Sequence, residues 1–220
     1  QTSLRWDFLQ LDRIPAASPT MTLVRRAFPG WRGTQFICDP CPAYVFTPEH
    51  DGSEILSKKS IRRHENGMKR AGAVAVRHLS RGEEIEPYLE AFFAQHIARR
   101  AQTEDPSHFL DLRYQRFYRL LTQRFTRHHW LLLTAVTLDN EPVAFHFGFL
   151  YGQKLLWYKP AFSTTHAHLS PGEVLLASLF RYCREQGLRE LDFTIGDEAF
   201  KSRFANVLRH NYCVEVFHSQ

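Results

Sequence analysis

Residues 130–159 read WLLLTAVTLDNEPVAFHFGFLYGQKLLWYK, and this stretch decides the fold. Three apolar runs are separated by two short polar breaks, Asp139–Pro142 and Gly152-Gln153, which have the composition and length of hairpin turns. From Val143 to Phe149 bulky apolar residues alternate with smaller ones, and a period of two is typical of a strand. The stretch therefore predicts three consecutive strands, which cover residues 130–138, 143–151 and 154–159.

Two helices are predicted ahead of these strands. Apolar residues at helical spacing predict a helix over Glu83–Ala101. Asp105-Pro106 predicts the start of a second helix, because aspartate caps helices well and proline is favoured at the first helical position. The inner face of this second helix would consist of Leu110, Tyr114, Phe117, Leu121 and Phe125. Before both helices, residues 73–78 predict a strand.

Downstream of the three strands, Ser170-Pro171-Gly172-Glu173 has the pattern of a capping box with proline at the first helical position. It predicts a helix to about Gln186, which Gly187 ends. A strand over 188–194, a short helix over 197–206 and a strand over 212–217 follow. The predicted order from residue 73 is β-α-α-β-β-β-α-β-α-β, which makes an α/β domain with a mixed central sheet flanked by helices.

The first fifty residues have a different pattern. Six prolines interrupt their apolar positions, so residues 1–53 predict an irregular extension or linker. The chain begins with Gln1 and not with Met, which indicates a piece of a longer protein. We therefore predict two parts, an N-terminal extension over 1–53 that trails a missing upstream domain, and a domain over 54–220.

The net charge of +5 comes from one segment. The chain has 28 Lys and Arg against 23 Asp and Glu, and residues 58–70 hold six basic residues and one acidic residue, so the rest carries 22 of each sign. This segment predicts a basic helix over residues 54–71, with Gly72 as a left-handed cap. A general nucleic-acid-binding surface is disfavoured. The basic helix is either a solvated face or a site for a phosphate-bearing ligand, a tRNA or an anionic membrane surface.

Composition excludes several other classes. Hydrophobic residues make up 44% of the chain, which excludes a disordered polypeptide. No apolar run approaches the length of a membrane span and no signal peptide is recognisable, so we expect a cytoplasmic protein. Cys38 and Cys41 have the spacing of a zinc ligand pair, but Cys183 and Cys213 supply no second pair. We therefore expect isolated thiols and no metal. The oligomeric state is left open.

Three stretches carry a resemblance to a known family, and they read KKSIRR over 58–63, LSPG over 169–172 and LDFTIGDEAFK over 191–201. Together with the order of elements, they resemble the CelD-type cellulose-biosynthesis branch of the GNAT acyltransferase superfamily, which is related to the FemAB peptidyltransferases. The resemblance implies a GNAT fold, and a further GNAT-like half upstream of residues 1–53. It also implies acyl transfer from an activated donor to an amine or hydroxyl of a sugar or of a cell-envelope or exopolysaccharide precursor.

The resemblance also places the donor. In GNAT enzymes the acyl thioester lies where two neighbouring strands separate, and the pyrophosphate of coenzyme A binds at the start of the following helix. In this sequence that start comprises Leu169, Ser170 and Gly172. Gly172 is the only glycine of the loop and Glu173 would add a carboxylate beside a phosphate. Binding of acyl-CoA therefore stays open, and the alternative donor is an aminoacyl-tRNA.

The reacting groups follow from the same comparison. The general base would be Asp192 or Asp197, because ligands of open α/β sheets bind beyond the carboxyl ends of strands. Tyr158 would protonate the leaving group. The substrate-binding residues would be Lys201, Glu198, Arg62 and Arg63.

Each of these residues also has a purely structural interpretation. Asp197 can cap the short helix and pair with Lys201, Asp192 can be a buried carboxylate bonded to backbone, and Tyr158 can be an aromatic residue of the core or its rim. His146 is expected to be a core histidine rather than a base. The alternative function is accordingly a catalytically silent GNAT-like binding or scaffold domain in a polysaccharide-biosynthesis system.

Overall fold

The computed structural model describes residues 6–28 and 34–217, which form seven α-helices and eight strands. The strands are β1 (Phe8–Pro15), β2 (Thr34–Val45), β3 (Val74–Leu79), β4 (Leu131–Leu138), β5 (Glu141–Tyr151), β6 (Lys154–Phe162), β7 (Glu190–Asp192) and β8 (Val207–Phe217). The helices are α1 (Pro19–Ala27), α2 (Ser53–Leu56), α3 (Lys59–Ala71), α4 (Gly82–Arg100), α5 (Leu112–Phe125), α6 (Pro171–Glu185) and α7 (Ala199–Phe204). From β3 to β8 the order is β-α-α-β-β-β-α-β-α-β.

The chain divides into two compact units. One consists of the described residues before Val45 and after Asp192, and the other consists of Val45–Asp192. In the first unit β8 pairs antiparallel with β1 and with β2. Helix α1 supplies apolar side chains to the buried cluster of this unit, which comprises Ile14, Met21, Val24, Val214 and Val216.

The N-terminal region is more regular than its prolines predict. Instead of an irregular segment it forms β1, α1 and β2. Pro40 and Pro42 lie inside β2, and their carbonyl oxygens accept hydrogen bonds from Gly196 and Phe193 on the side away from β8. The backbone nitrogens of these prolines face the same side, so β2 loses no ladder bond to β8. The boundary near residue 53 and an upstream half stay predictions.

The second unit contains a five-stranded sheet in the order β7-β6-β5-β4-β3. Strands β6 and β7 are parallel and the other neighbours are antiparallel, so the predicted mixed sheet of an α/β domain is confirmed. The second hairpin loop, Gly152-Gln153, has the predicted two-residue length, whereas the first is shorter than the predicted Asp139–Pro142 because β5 already begins at Glu141. Asp139 and Asn140 have φ of 49° and 68°, and Gly152 and Gln153 have φ of 57° and 62°, as a type I′ turn requires.

Helices α4 and α5 pack on one face of this sheet. The buried cluster there is rich in aromatic rings, and the ring of Phe92 on α4 stacks on Phe147 of β5 with centroids 5.7 Å apart. Helix α6 packs on the other face, where its Tyr182 ring lies 4.7 Å from the ring of His78. The predicted alternation of β5 is therefore confirmed, since Phe147 and His146 face opposite layers.

Helix α5 begins later than its sequence predicts. Asp111 caps it by accepting a hydrogen bond from the Arg113 amide, whereas Asp105 caps no helix. Phe109, in a short 3₁₀ turn before the helix, is the aromatic residue that enters the core, and it sets the rotation of the helix that follows. Tyr118 and Thr122 therefore face inward. The predicted inner face is wrong at Leu110, Tyr114 and Phe117, which are exposed, whereas Phe125 packs against the core as predicted.

The basic segment forms two helices and not one. Helix α2 ends at Leu56, and α3 begins at Lys59. The predicted left-handed cap at Gly72 is also wrong, because its φ of 169° is extended. The glycine serves close packing instead: the Asp139 carboxylate, which accepts a hydrogen bond from the Ala73 amide at 2.8 Å, occupies the space that a Cβ at position 72 would need.

Two buried histidines are expected to make the stability depend on pH. Burial lowers the pKa of His96 to about 4 and that of His146 to about 3. The unfolded chain binds protons at these sites below pH about 6.5 and the folded chain does not, so the free energy of unfolding falls as the pH falls. Between pH 6.5 and pH 5 the two groups together contribute a loss of about 3 kcal/mol.

Urea denaturation at both pH values measures this loss. His96→Gln is expected to remove about half of it, whereas His168→Gln, at an exposed position, is expected to leave it unchanged. Equal pH dependence in wild type and His96→Gln would contradict the assignment.

Candidate functional site

The parallel strands β6 and β7 pair only as far as the end of β7. They pair over three residues, and the last pair is Leu156 with Asp192. Strand β6 continues for six residues beyond this pair. At the same point β6 carries a bulge, because Trp157 and Tyr158 together stand opposite the single residue Gly148 of β5. The half-buried Asp192 therefore ends its strand beside an irregular stretch of β6.

The bulge directs two consecutive side chains of β6 to helix α5. The hydroxyl of Tyr118 on α5 donates a hydrogen bond to the hydroxyl of Tyr158 at 3.2 Å. Burial, followed by this hydrogen bond, raises the pKa of Tyr118, which stays protonated as a donor. The Lys159 ammonium lies 5.8 Å and 5.6 Å from the ring centroids of Tyr118 and Tyr158. The exposed Tyr158 hydroxyl thus has a neutral donor and a cation beside it.

His146 supports the bulge from the other face. Its ring is fully buried and stacks on Trp157 with centroids 4.9 Å apart, and its Nε2 accepts a hydrogen bond from the Tyr158 amide at 3.3 Å. Burial lowers its pKa to about 3, so the ring is neutral and remains an acceptor at neutral pH. The prediction that His146 is a core histidine is confirmed. Its role is to position Tyr158.

The start of helix α6, where the sequence predicts donor binding, is not a capping box. The φ of Ser170 is 52° and its side chain makes no capping bond. Side-chain caps require an extended residue, and a left-handed serine cannot direct its hydroxyl over the first turn. The Glu173 carboxylate instead contacts His64, with Oε2 2.9 Å from Nδ1.

Most backbone amides at this helix start are already bonded. Those of Leu169, Ser170 and Glu173 donate to carbonyls of the preceding turn. Pro171 has no amide hydrogen. Within residues 6–28 and 34–217 the amide of Gly172 has no acceptor, so it is the amide that this helix start offers to an anion.

A polar chain connects the basic helix to the first turn of α6. A guanidinium nitrogen of Arg63 lies 3.3 Å from Nε2 of His64, whose Nδ1 is bonded to Glu173. Arg62 and Arg63 are both exposed. The carboxylate that the sequence places beside a phosphate is therefore engaged by α3, and the same helix brings cations towards the start of α6.

The remaining predicted residues lie in the other unit. Helix α7 begins at Ala199, so Asp197 does not cap it, and Asp197 is exposed. The predicted pair of Asp197 with Lys201 is replaced by an ion pair of Lys201 Nζ with Glu198 Oε2 at 2.7 Å. The same ammonium donates to the carbonyl of Ile195 at 2.7 Å, and the Lys201 side chain is 4% exposed. Lys201 therefore holds the turn before α7 together.

Strand β7 is shorter than its sequence predicts, with three residues in place of the seven over 188–194. Thr194 has a φ of 61°, which an extended strand does not allow, and the chain turns there. Asp192 is consequently the last residue of its strand, whereas Asp197 lies five residues beyond it.

One cleft of about 290 Å³ lies between α3, β3 and α6 and contains none of the predicted site residues. Its polar lining includes Glu65 and Arg181, whose side chains pair at 2.6 Å. Among the described residues no group of three or more His, Cys, Asp or Glu side chains is arranged to hold a metal ion, and no disulfide bond joins any of the four cysteines. No helix of that part of the chain has the length and apolarity that crossing a bilayer requires.

Sequence reasoning misses three residues of this site. Tyr118 lies off the predicted inner face of α5, and recognising Asp111 as the helix cap would have found it. Lys159 reaches the site because of the bulge, which has no sequence signature. His64 lies within the basic segment, but its contact with Glu173 joins residues 109 positions apart.

The structure is similar to several solved structures. FemX has 13% sequence identity to this chain, with 93% of this chain and 71% of FemX covered, and a TM-score of 0.65. L-PGS from Bacillus licheniformis has 15% identity, 93% and 67% coverage and a TM-score of 0.61. The C-terminal domain of a protein assigned as a lysylphosphatidylglycerol synthetase from Agrobacterium fabrum has 11% identity, 94% and 67% coverage and a TM-score of 0.64. At these identities the similarities show the fold.

The family is shown by the sequence. Residues 57–202, about two thirds of the chain, match the model of the acetyltransferase (GNAT) domain, whereas no curated protein matches. The matched range includes β6 and β7, the bulge of β6 and the start of α6. The chain therefore belongs to the acetyltransferase (GNAT) domain family, and it is a GNAT-type acyltransferase.

Proposed function

We propose that this chain transfers an acyl or aminoacyl group from a phosphate-bearing donor to an amine or hydroxyl of a cell-envelope or exopolysaccharide precursor. The acyl group lies beside Asp192 and Tyr158, and the phosphates of the donor lie at the start of α6. The observation that carries this proposal is the coincidence of the end of β7 with the bulge of β6.

The topology supports a common site for these groups. Strands β6 and β7 are parallel and α6 connects them, so the start of α6 lies at the edge of the sheet where both strands end. A helix start attracts anions through its free amides and its dipole. Gly172 supplies the amide and Arg63 supplies a cation by way of the polar chain to Glu173.

The reaction follows from two side chains. As the acceptor nitrogen or oxygen forms a bond to the acyl carbon, Asp192 takes the proton that the acceptor releases. The bond from the acyl carbon to the leaving sulfur or oxygen breaks, and Tyr158 gives its proton to that leaving atom. The hydrogen bond from Tyr118 fixes the orientation of the Tyr158 hydroxyl, and solvent returns the proton to Tyr158.

Two observations bear on the chemical class of the acceptor. The name lysylphosphatidylglycerol synthetase denotes a protein whose product is an aminoacylated lipid, which favours aminoacyl transfer to the envelope. The KKSIRR, LSPG and LDFTIGDEAFK stretches favour the CelD-type branch and a polysaccharide precursor in the cytoplasm.

The alternative is a catalytically silent scaffold domain. It is favoured by the single uncommitted amide at the start of α6, where a glycine-rich loop would offer several. The two interpretations differ in donor binding, since a silent scaffold has no need to bind coenzyme A or an aminoacyl-tRNA.

Calorimetric titration with coenzyme A tests the donor site. We expect the wild-type chain to bind, and we expect Arg63→Gln to weaken binding about tenfold or more, because a charged hydrogen bond to phosphate is lost. Lys69→Gln is the matched control on the same helix and is expected to change affinity less than twofold. If coenzyme A does not bind but aminoacyl-tRNA does, the donor is an aminoacyl-tRNA. If neither binds, the scaffold alternative replaces the enzyme.

A further inference from the structure

The outward face of α5 combines exposed apolar side chains with arginines. Because Tyr118 and Thr122 face the core, the opposite side of the helix faces solvent. Large apolar side chains on that side are well exposed, with Phe117 at 52% and Leu120 at 55%. We define the α5 face as Leu112, Arg113, Arg116, Phe117, Leu120 and Arg124. Single exposed apolar residues are ordinary, but several on one short helix mark an interaction surface.

The charge of the α5 face is entirely positive. No Asp or Glu occurs from Leu112 to Leu138. Arg119 is not part of the α5 face, because it pairs with two glutamates of α4. Arg113 pairs with Asp111, just before the helix. Within the part of the chain that the structure describes, the exposed Arg116 and Arg124 make no ion pair. These guanidinium groups are available to a partner that carries negative charge.

Further exposed aromatic residues lie beside the end of α5. Trp130 packs edge-on against Phe125 of the helix with ring centroids 5.7 Å apart, and against Tyr151 at 5.8 Å. Trp130 is 40% exposed and Tyr151 is 69% exposed. Tryptophan and tyrosine are the side chains that favour the interface between lipid headgroups and acyl chains.

Helix α3 shows how a surface that is only basic differs from the α5 face, which is both basic and apolar. Helix α3 is also basic, with exposed Lys69 and Arg70 at its end, but none of its large apolar residues is exposed, since Ile61 and Met68 are buried. A polyanion in water needs only a face like α3. An anionic bilayer has phosphates at its surface and an apolar interior beneath them. A protein face that presents both cationic and apolar groups is complementary to such a bilayer.

We propose that the α5 face docks this chain peripherally on an anionic phospholipid surface. Phe117 and Leu120 enter the boundary between headgroups and acyl chains, and Arg116 and Arg124 contact lipid phosphates. Tyr118, on the inner side of the same helix, is hydrogen-bonded to Tyr158, so docking would place the candidate site about one helix diameter from the lipid. The proposal rests on exposure and charge, and it stands whether or not the proposed reaction is correct.

Co-sedimentation of the 220-residue chain with vesicles tests the proposal. We expect binding to vesicles of phosphatidylcholine and phosphatidylglycerol in a 7:3 ratio (about 30% anionic lipid), and little binding to pure phosphatidylcholine. Neutralising two cations in Arg116→Gln/Arg124→Gln is expected to lower the partition coefficient about 30-fold. Phe117→Ser/Leu120→Ser is expected to lower it about tenfold or more. These positions are exposed, and circular dichroism verifies that each variant is folded.

The control removes the same charge from the other basic helix. Lys69→Gln/Arg70→Gln is expected to keep the wild-type partition coefficient within about twofold, because α3 lacks the apolar component. The proposal is overturned if the wild-type chain does not bind the anionic vesicles, or if the α3 variant loses as much binding as the α5 variants. A concentration-dependent dimer in gel filtration that Phe117→Ser/Leu120→Ser abolishes would also overturn it, because a second copy would then be the occupant.

Discussion

Asp192→Asn is expected to lower the rate of acyl transfer by about 10²–10⁴-fold, which is the usual contribution of a general base. The carboxylate stands at the end of β7, paired in register with Leu156 directly before the bulge that carries Tyr158. Asparagine has the same shape but cannot accept the proton of the acceptor. The affinity for the donor is expected to stay the same, because donor phosphates bind at the start of α6.

The matched control is Asp197→Asn, which removes a carboxylate from an exposed position five residues along the chain. We expect its rate to stay within about threefold of wild type, as for most surface changes. The pH profile supplies a second readout, since the loss of the base should remove the acid limb of the wild-type profile. If Asp197→Asn is inactive and Asp192→Asn is active, the base is Asp197.

Gly148→Ala is expected to lower the free energy of unfolding by about 3 kcal/mol, the upper range for overpacking a core. A Cβ at position 148 would lie 2.8 Å from the carbonyl oxygen of Leu156, and it would overlap the ring of His146. Neither group can move freely. The Leu156 carbonyl belongs to the backbone of β6 beside the bulge, and the His146 ring is stacked on Trp157. The bulge must therefore distort.

Gly67→Ala is the matched control for this prediction. Gly67 lies in the middle of α3, and no atom lies within 4 Å of the position of its missing Cβ. Alanine there is expected to raise the free energy of unfolding by about 0.5–1 kcal/mol, because glycine is a poor helix former. Urea denaturation measures both changes. Equal stability of Gly148→Ala and wild type would contradict the close packing of β5 on β6.

The parts of the fold that sequence predicts well are those with local causes. Strand β5 follows from its alternating side chains and β4 and β6 follow from apolar runs, and the turns between them follow from residues that tolerate positive φ, such as Asn140 and Gly152. Gly187, with a φ of 62°, ends α6 as its position predicts. In each case neighbouring residues alone determine the backbone.

The parts that sequence does not predict are set by distant contacts. The rotation of α5 depends on Phe109 entering a core built from α4 and β5. The bulge of β6 depends on His146 of the neighbouring strand accepting from the Tyr158 amide. The capping-box pattern of Ser170 and Glu173 is present in the sequence, yet His64 of another helix engages the carboxylate. A local motif is overridden wherever a tertiary partner binds its side chain.

The candidate residues divide in the same way. The order of elements alone predicts that Asp192 and Tyr158 lie at one edge of the sheet. In the structure Asp192 pairs in register with Leu156, and Tyr158 follows Leu156 by two residues in β6. The sequence does not reveal that Lys201 is buried, because lysines in helices are usually exposed. The burial depends on the turn before α7, where the Lys201 ammonium contacts Ile195 and Glu198.

The most direct test of acyl transfer uses isotopically labelled donors. The chain is incubated with ¹³C-acetyl-CoA or ¹³C-lysyl-tRNA and with extracted envelope lipids and saccharides, and mass spectrometry detects label on an amine or hydroxyl. We expect wild-type chain to transfer label from one of the two donors and Asp192→Asn to transfer none above background. Absence of transfer from both donors, with a correctly folded chain, would contradict the account.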